Sequence, residues 1–448
     1  MSRLPLEGIR VIDSTYIFAM PYACAMMADL GAEVIKIEGP GHFDPIRLSG
    51  AFADNNPGQD AWNRSGGFTQ LNRGKKSLTL DLSKQQGRDA LKELVRVSDV
   101  LVENYTPRVM RRWGLDYPSL KKLKPDIIMM SNTGYGHGDG PWALYPAQAT
   151  TQEATHGLCH ITGYVGDAPS KAGQSYDDFL ACWTGLFAVA SALRHRNKTG
   201  EGQWIDIGMY QLGCYFTSEH ILDYAANGRL GGRIGNRHPQ RAPQGCYPCA
   251  GVDQWCVISV GDDTEWAALC DAMGKPELAG DPRFAGLQRR LENHDELDAI
   301  IAPWTKERDR HELMEKLQSL GVPAGPVFDA RDSSLDPHLW ERGFMEKVVC
   351  PPDRKLGTRV VMGRPWQLSK AQVKVKRPAP KLGEHNEQML AEVLGLDEDK
   401  MGELEDEGVI GVIPQNARRV PAVRNFDEDV RNGVFAYRDP DYKQKLGI

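Results

Sequence analysis

Short apolar runs alternate with helical patterns over the first 135 residues. Each run has the length of a buried strand, and the segments between the runs place apolar residues at helical spacing. Alternation of this kind predicts an α/β fold in which a parallel sheet carries helices on its faces. The predicted strands lie at residues 9–13, 34–38, 100–102 and 126–131.

The ends of these strands indicate where a ligand binds. Ligands of parallel α/β sheets lie beyond the carboxyl ends of the strands, so a site is expected beside residues 14–20, 104–112 and 134–141. The sequence argues against a nicotinamide dinucleotide, although Glu38 ends the second strand where such enzymes bind a ribose. The segment after Asp13 reads Ser-Thr-Tyr-Ile-Phe-Ala-Met-Pro and has no glycine that would admit a pyrophosphate.

The rest of the chain predicts a second, smaller domain. A helix with a buried apolar stripe runs from Asp178 to about Arg196, and a segment rich in Gly, Arg and Pro follows at residues 230–248. We expect this segment to link a Rossmann-like large domain to a small α/β domain. The predicted organisation is the first part of the large domain at 1–229, the linker at 230–248, the small domain at 249–345, a return segment to the large domain at 346–413 and a C-terminal tail at 414–448.

Composition argues against several classes of protein. The formal net charge is −6, from 54 basic and 60 acidic residues, so the chain lacks the basic excess of a nucleic-acid binder. No apolar run approaches the roughly 18 residues of a membrane span, and the start has no signal-peptide pattern. The nine cysteines are scattered, which fits a reducing compartment. We therefore expect a soluble cytoplasmic enzyme without a membrane or nucleic-acid partner.

Two motifs leave their role open on sequence grounds. Residues 134–141 contain four glycines after a predicted strand, and such a segment suits a ligand-binding loop or a plain turn equally well. Cys246-Tyr247-Pro248-Cys249 is a single C-x-x-C pair. A zinc site needs four ligands and no second pair has the required spacing, so we expect buried thiols and no bound metal.

Charged residues near the predicted strand ends are the candidates for chemistry. Asp177 and Asp178 stand directly before the long apolar helix, where aspartate is a preferred capping residue. The alternative is a carboxylate that faces the mouth of the sheet and acts as a nucleophile. Position alone favours the capping role. Basic residues that suit a phosphorylated ligand, or plain surface charge, occur at Lys75, Lys76, Arg108, Arg111 and Arg112.

Several separate motifs together resemble one family, the class III CoA-transferases, which includes the formyl-CoA:oxalate and carnitine CoA-transferases. The resemblance extends over residues 4–412 and implies a Rossmann-like fold in an interlocked homodimer, with the linker crossing between the two chains. The matching motifs lie at residues 6–13, 28–38, 72–77, 102–105, 157–163, 199–203 and 382–385.

The family resemblance assigns the nucleophile to Asp178. Asp178 follows Gly173 by five residues and precedes Thr199 by 21, which is similar to the spacing of the family's catalytic aspartate. The implied chemistry begins when this carboxylate attacks an acyl-CoA thioester to give a mixed anhydride. An aspartyl-CoA thioester then forms, and a carboxylic acid acceptor takes over the CoA. Coenzyme A thioesters are therefore substrates, and the resemblance implies neither a metal nor a permanently bound cofactor.

The resemblance also implies a CoA site, with two departures from the family pattern. Gly39 and Pro146 stand where the oxalate enzymes have basic residues, so the contacts to the adenine phosphates are expected to differ. We expect Tyr135, His137 and Gln148 to be substrate contacts. The implied CoA contacts are Phe18, Ala19, Gly74, Lys75, Lys76, Ser77, Asn104, Tyr105, Thr106 and Arg112.

An α-methylacyl-CoA racemase of the same fold is the alternative function. Racemases carry a histidine base in a Gly-His-Asp run, and the matching positions here are Ala147-Gln148-Ala149. The missing histidine disfavours racemisation, although His137 and His156 lie nearby in the sequence. The run of glycines that covers the oxalate enzymes' site has no counterpart near residues 235–245, which disfavours a small, oxalate-like acceptor. A larger, partly apolar acyl group is favoured by aromatic and apolar residues near the site, namely Tyr16, Phe18, Met20, Trp142 and Tyr145.

Overall fold

The computed structural model describes residues 3–173, 175–415 and 421–448. The chain divides into two compact units. Unit 1 contains Met1–Gly157, Gly173–Ile221 and Leu335–Ile448, and unit 2 contains Leu158–Ala172 and Leu222–Ser334. Residues 416–420 of the predicted tail lie outside the described residues.

This division differs from the predicted domain boundaries at residues 158–172, which the sequence assigned to the large domain. The backbone N–H of Gly235 donates to the carbonyl of Gly163 at 2.9 Å. The guanidinium of Arg233 donates to the carbonyl of His160 at 2.8 Å. These bonds join residues 158–172 to residues some 70 positions further along the chain, and no local sequence pattern predicts them. The predicted linker at 230–248 likewise belongs to unit 2 and ends in a strand.

Unit 1 is built on a six-stranded sheet in which every pairing is parallel. The strand order is β3-β2-β1-β4-β5-β6, so the direction of winding reverses between β1 and β4. The predicted α/β class with a Rossmann-like parallel sheet is thereby confirmed. The strands are β1 Arg10–Ser14, β2 Glu33–Glu38, β3 Lys76–Thr79, β4 Val100–Glu103, β5 Ile128–Thr133 and β6 Trp204–Gly208.

Helices cover both faces of this sheet, which explains why its strands are apolar on both sides. On one face, α1 and α8 pack against each other and against Val11, Val102 and Met130. On the other face, helices α3 to α5 pack on Ile12 and Leu101. The helices of unit 1 up to α9 are α1 Ala19–Asp29, α2 Gly66–Asn72, α3 Gln85–Arg96, α4 Arg108–Trp113, α5 Tyr117–Leu123, α6 Ala149–Thr155, α8 Tyr176–Thr199 and α9 Met209–Phe216.

Unit 2 contains an antiparallel sheet in the order β7-β8-β9, packed against helices. Buried residues alternate with more accessible ones along β7 and β8, as expected for a sheet with one covered face. Its core includes Trp266, Phe284 and Ile301. The elements are α7 Leu158–Ile161, α10 Ser218–Asn227, β7 Gln244–Pro248, β8 Trp255–Ser259, α11 Asp263–Met273, α12 Gly286–Glu292, α13 His294–Lys306, α14 Arg310–Ser319, β9 Ala324–Pro326 and α15 Ala330–Leu335, of which α10 and α15 cross the unit boundaries.

The C-terminal part of unit 1 returns to the large sheet. Ser77 and Thr79 of β3 bind this segment through the backbone N–H of Gly383 and the side chain of Asn386. No helix of the described residues has both the length and the hydropathy to cross a bilayer. The remaining elements are α16 Pro337–Glu341, β10 Met345–Val349, β11 Thr358–Met362, a π-helical turn Gln388–Val393, α17 Glu398–Asp406, α18 Phe426–Arg431 and α19 Tyr442–Leu446.

Candidate active site

A cavity of about 520 Å³ lies at the point where the strand order of the large sheet reverses. It is lined by residues that follow β1, β4 and β5, which is where ligands of such sheets bind. Asp178 from the first turn of α8 reaches the same cavity. It is the single charged side chain among the described residues that line the cavity. The other polar groups there are amides and hydroxyls, including Asn104, Asn132, Gln148 and Thr150.

The structure separates the roles of the two adjacent aspartates. Asp177 is fully buried, and both of its carboxylate oxygens lie 3.1 Å from Nε2 of His156. Asp178 is half-buried and lines the cavity. Neighbouring residues of a helix point about 100° apart, so one carboxyl group faces the interior while the other faces the ligand space. Of the two aspartates, Asp178, which the resemblance implies as the nucleophile, is thus the one that lines the cavity.

The surroundings of Asp178 raise the pKa of its carboxyl group to about 6. Burial is the largest cause, because it penalises the ionised form. The negative charges of Asp177 and Glu153 act in the same direction, whereas hydrogen bonds from Ser175 and from the backbone N–H of Ala19 oppose them. A carboxylate with this pKa is ionised near neutral pH and is more nucleophilic than a solvated aspartate.

The loop between β1 and α1 forms one wall of the cavity and is held by side chains from two other loops. Asn104 binds the backbone of Tyr16 twice, accepting from its N–H at 2.9 Å and donating to its carbonyl at 2.8 Å. The backbone N–H of Ile17 donates to Asp44 at 3.0 Å. Ile17 has a φ of 72°, a strained conformation for a β-branched residue. Strain of this kind persists where the surrounding contacts fix the backbone.

Five of the predicted CoA contacts line the cavity. The ring of Phe18 packs edge-on against that of Phe179 in the first turn of α8, with 5.1 Å between centroids. Ala19 follows it at the start of α1, so the first turns of two helices meet beside Asp178. The predicted contacts that line the cavity are Phe18, Ala19, Asn104, Tyr105 and Thr106.

Lys75, which the resemblance implies as a CoA contact, does not line the cavity. Its side chain is fully buried, and its ammonium donates to Asp13 at 2.6 Å and to the carbonyl of Pro21 and the amide oxygen of Asn72 at 2.7 Å. These three acceptors use all three of its N–H groups. A phosphate would have to displace one of them, so we assign Lys75 a structural role.

The other predicted contacts of this group also lie outside the cavity lining. The Lys76 ammonium pairs with Glu33 at 2.7 Å. The backbone of Gly74 exchanges hydrogen bonds with Arg377, and Ser77 binds Gly383 of the return segment. Arg112 is exposed at the end of α4. The two family-like motifs at 72–77 and 382–385 therefore contact each other rather than the cavity.

The three predicted substrate contacts are placed differently from one another. Gln148 lines the cavity as the residue before α6. Tyr135 does not line the cavity itself, but its ring centroid lies 6.4 Å from that of Tyr145, which does. His137 is not part of the lining. Its Nδ1 lies 2.9 Å from Asp206, and its backbone N–H donates to the same carboxylate at 2.8 Å, so it anchors the glycine loop.

Sequence reasoning missed several lining residues and one perturbed acid. Asn132 is the last residue but one of β5, and its place near the strand end could have identified it, whereas Ser175 and Met209 gave no local signal. Glu103 ends β4, and burial raises its pKa to about 7. Its Oε2 accepts from the backbone N–H of Tyr105 at 2.8 Å. No group of three metal-binding side chains occurs among the described residues, and the Cys246–Cys249 pair has free thiols.

Comparison with known proteins assigns the chain to a family. A parallel sheet with an acidic cavity at its reversal point defines the class of α/β enzymes that bind ligands at strand ends. The family model described as CoA-transferase family III matches residues 6–386. The chain therefore belongs to CoA-transferase family III, and the predicted resemblance is confirmed.

Characterised relatives are similar over nearly their full lengths. The succinyl-CoA–D-citramalate CoA-transferase of Chloroflexus aurantiacus is 35% identical over 91% of this chain and 98% of its own. The acetyl-CoA:oxalate CoA-transferase of Acetobacter aceti is 35% identical over 85% of this chain and 93% of its own. A solved CAIB/BAIF family protein from Brucella suis is 32% identical, with a TM-score of 0.78, and the match covers 87% of this chain and 100% of that one.

Proposed function

We propose that this protein transfers CoA from an acyl-CoA donor to a carboxylic acid acceptor, with Asp178 as the nucleophile. The observation that carries the proposal is the placement of one ionisable carboxyl group in a cavity whose other described lining residues are uncharged. Family membership supports the reaction class, and the reversal point of the sheet supports the location. No step calls for a metal or a resident cofactor; acyl-CoA and a free acid are the substrates.

The proposed reaction proceeds through Asp178 in four balanced steps. The Asp178 carboxylate attacks the thioester carbonyl, the C–S bond breaks, and a mixed anhydride and CoA thiolate result. The thiolate attacks the aspartyl carbonyl, which releases the donor acid and leaves an aspartyl-CoA thioester. The acceptor carboxylate attacks this thioester and expels the thiolate, giving a second anhydride. The thiolate then attacks the acceptor's carbonyl, forming the new acyl-CoA and freeing the Asp178 carboxylate.

The cavity offers two things that such intermediates need. Anhydrides and thioesters hydrolyse, so water must be kept away from the reacting atoms. Apolar and aromatic groups such as Phe18, Tyr145 and Met209 line the space around the carboxyl group. Developing negative charge on the carbonyl oxygens also needs N–H donors. The backbone N–H of Ala19, at the start of α1, is one such donor at the cavity, and it binds Asp178.

Racemisation is less well supported, because the position that matches the racemase histidine is Gln148, which lines the cavity. Neither His137 nor His156 lines it within the part of the chain that the structure describes. Both rings bind carboxylates instead, Asp206 and Asp177 respectively. Among the described lining residues, Asp178 is thus the one carboxylate or imidazole, and the second base of a racemase has no counterpart there.

We further propose that the enzyme acts as a cytoplasmic homodimer. Large apolar side chains of unit 1 are exposed, including Phe187 at 73% and Tyr215 at 83%. An apolar groove of about 300 Å³ lies beside Phe187 and is also lined by Leu6, Trp183 and Trp366. Surfaces of this kind suit a second copy of the chain. Sedimentation velocity is expected to give a particle of twice the chain mass, and a monomer would contradict it. The buried cysteines are free thiols, which fits a reducing compartment; they are Cys24, Cys182, Cys249, Cys256, Cys270 and Cys350.

The transferase proposal is tested with a panel of acyl-CoAs and free acids. The protein is incubated with acyl-CoA donors that carry succinyl or longer, partly apolar acyl groups, and with acceptors such as citramalate, glutarate and oxalate. New acyl-CoAs are then separated by chromatography. Transfer is expected in the wild type and is expected to fall at least about 1,000-fold in Asp178→Asn and Asp178→Ala. Full activity in either variant would overturn the proposal. Deuterium wash-in at the α-carbon without an acceptor would favour a racemase.

A further inference from the structure

The helix that carries Asp178 begins without a cap from its own chain segment. Ser175, the residue before α8, has a φ of 55°, and its side chain makes no hydrogen bond to the helix backbone. The backbone N–H of Tyr176 donates instead to Oε1 of Glu153 on α6, at 3.0 Å. Free N–H groups at a helix start need an acceptor, so a neighbouring helix supplies what the local sequence does not.

A second side chain from the same neighbour holds the next residue of α8. His156 directly follows α6, and its Nε2 lies 3.1 Å from both oxygens of Asp177, with both side chains fully buried. The buried Nδ1 of His156 has no partner among the described residues, which fits a tautomer with the proton on Nε2. Glu153 and His156 are three positions apart, a spacing that places both on one helical face.

The space for the His156 ring comes from a glycine on α9. A Cβ atom built at Gly213 would lie 2.1 Å from Cδ2 of His156, so no other residue fits there without displacing the ring. The hydroxyl of Thr217 donates to the His156 carbonyl at 3.0 Å. The ring is thus fixed from three helices: its own end of α6, Asp177 on α8 and Gly213 on α9.

We propose that Glu153 and His156 form a clamp that fixes the direction of Asp178 by holding the two residues before it. The proposal rests on the nucleophilic role proposed for Asp178. Neither clamp residue lines the cavity, so both are positioning residues. Because successive helical side chains diverge by about 100°, holding Asp177 against the His156 ring turns Asp178 toward the cavity. A helix start that could rotate would let the carboxylate leave the attack geometry.

The clamp also sets the charge around the nucleophile. Burial is the main cause of the raised pKa of Asp178, and the negative charges of Asp177 and Glu153 raise it further. Ser175 and the N–H of Ala19 lower the pKa, and the thiol of Cys182 lies one turn further along α8. Replacing Glu153 or Asp177 by its amide keeps an oxygen that accepts a hydrogen bond but removes the negative charge. The amide variants therefore test the charge without removing the contact.

The charge is tested by labelling Asp178 with a water-soluble carbodiimide and an amine, followed by peptide mass spectrometry. Carbodiimide reacts with the protonated carboxyl group, so its rate reports the pKa of Asp178 and needs no transferase activity. At neutral pH, labelling of Asp178 is expected to be about threefold slower in Asp177→Asn and in Glu153→Gln than in the wild type. Wild-type rates in both variants would overturn this part of the proposal.

The positioning is tested by the kinetics of CoA transfer in His156 variants. His156→Leu is expected to lower kcat roughly 10- to 100-fold with a KM for acyl-CoA within about twofold of wild type. His156→Gln, whose amide can still donate to Asp177, is expected to recover most of the lost kcat. Gly213→Ala is expected to behave like His156→Leu.

An unchanged kcat in His156→Leu and Gly213→Ala would overturn the clamp. If the leucine variant fails to fold, the labelling of Asp177→Asn decides. The proposed function itself would be refuted if Asp177→Asn and Glu153→Gln showed the expected slower labelling while the wild type transferred no CoA.

Discussion

The Lys75 ammonium lies 2.6 Å from Oδ2 of Asp13 at the end of β1, and neither side chain is exposed to solvent. Removing one partner of a buried ion pair leaves an uncompensated charge, which costs about 3–5 kcal/mol. We therefore expect Lys75→Met to lower the free energy of unfolding by that amount in guanidinium titrations. The KM for acyl-CoA of the folded fraction is expected to stay at its wild-type value.

Lys76 provides the matched control for this prediction. It pairs with Glu33 at 2.7 Å, but Glu33 is 30% exposed, and pairs of this kind contribute at most about 1 kcal/mol. Lys76→Met is expected to have nearly wild-type stability. A stable Lys75→Met protein with a raised KM for acyl-CoA would instead support a ligand role for Lys75.

Ile17 is expected to gain stability when it is replaced by glycine. Its φ of 72° is a conformation that glycine adopts freely, and its side chain is already 47% exposed. Ile17→Gly should raise the free energy of unfolding by about 1 kcal/mol, because relief of strain outweighs the added chain entropy. Ile221, 48% exposed and helical, is the control, and its glycine variant should lose about 1 kcal/mol. An equal loss of free energy of unfolding in Ile17→Gly and Ile221→Gly would contradict the prediction.

The rate of acyl-enzyme formation is expected to depend on pH with a midpoint near the Asp178 pKa of about 6. The nucleophile must be ionised, so the rate should be flat above the midpoint and fall about tenfold per pH unit below it. Rapid-quench measurement of a single turnover gives the profile, and CoA-binding titrations over the same range separate binding from chemistry. A profile without a break between about pH 5 and pH 7 would be inconsistent with this nucleophile.

Glu103 is expected to make stability depend on pH in the opposite sense from an ion-paired carboxylate. Its folded pKa of about 7 exceeds the reference value of 4.5, so the folded state holds a proton that the unfolded state releases. The stability from this proton is present at low pH and is lost as pH rises through 7. In urea unfolding, the free energy of unfolding of Glu103→Gln should therefore rise relative to that of the wild type by on the order of 3 kcal/mol between about pH 5 and pH 8. A difference between the two proteins that does not change with pH would contradict this assignment.

The sequence predicted the parallel sheet well because its strands are short apolar runs with clear boundaries. It missed β3, whose strand begins at Lys76 inside a basic motif that resembles a ligand loop. Helix α1 begins at Ala19, and the helix predicted from Asp178 begins at Tyr176. Both starts lack a local side-chain cap, so the usual signal for the first residue was absent.

The candidate site was predictable where it depends on strand ends and unpredictable where it depends on distant partners. Asn104 and Phe18 follow strands, and both line the cavity as the topology requires. Lys75 has the composition of a phosphate ligand, but its partner Asp13 stands 62 positions earlier, and only the folded chain reveals the pairing. The contact of His156 with Asp177 likewise depends on a cavity left by Gly213 on a third helix.

Transfer of an oxygen isotope to Asp178 tests the central claim most directly. The protein is incubated with an acyl-CoA and an acceptor acid labelled with ¹⁸O in its carboxyl group, and the peptide containing Asp178 is then weighed by mass spectrometry. In each turnover, attack of the acceptor on an aspartyl thioester leaves one acceptor oxygen in the Asp178 carboxyl group. A gain of about 2 Da is therefore predicted there after one turnover, and about 4 Da after many, with no gain in the Asp178→Asn protein. Formation of the new acyl-CoA with no ¹⁸O in Asp178 would contradict the account.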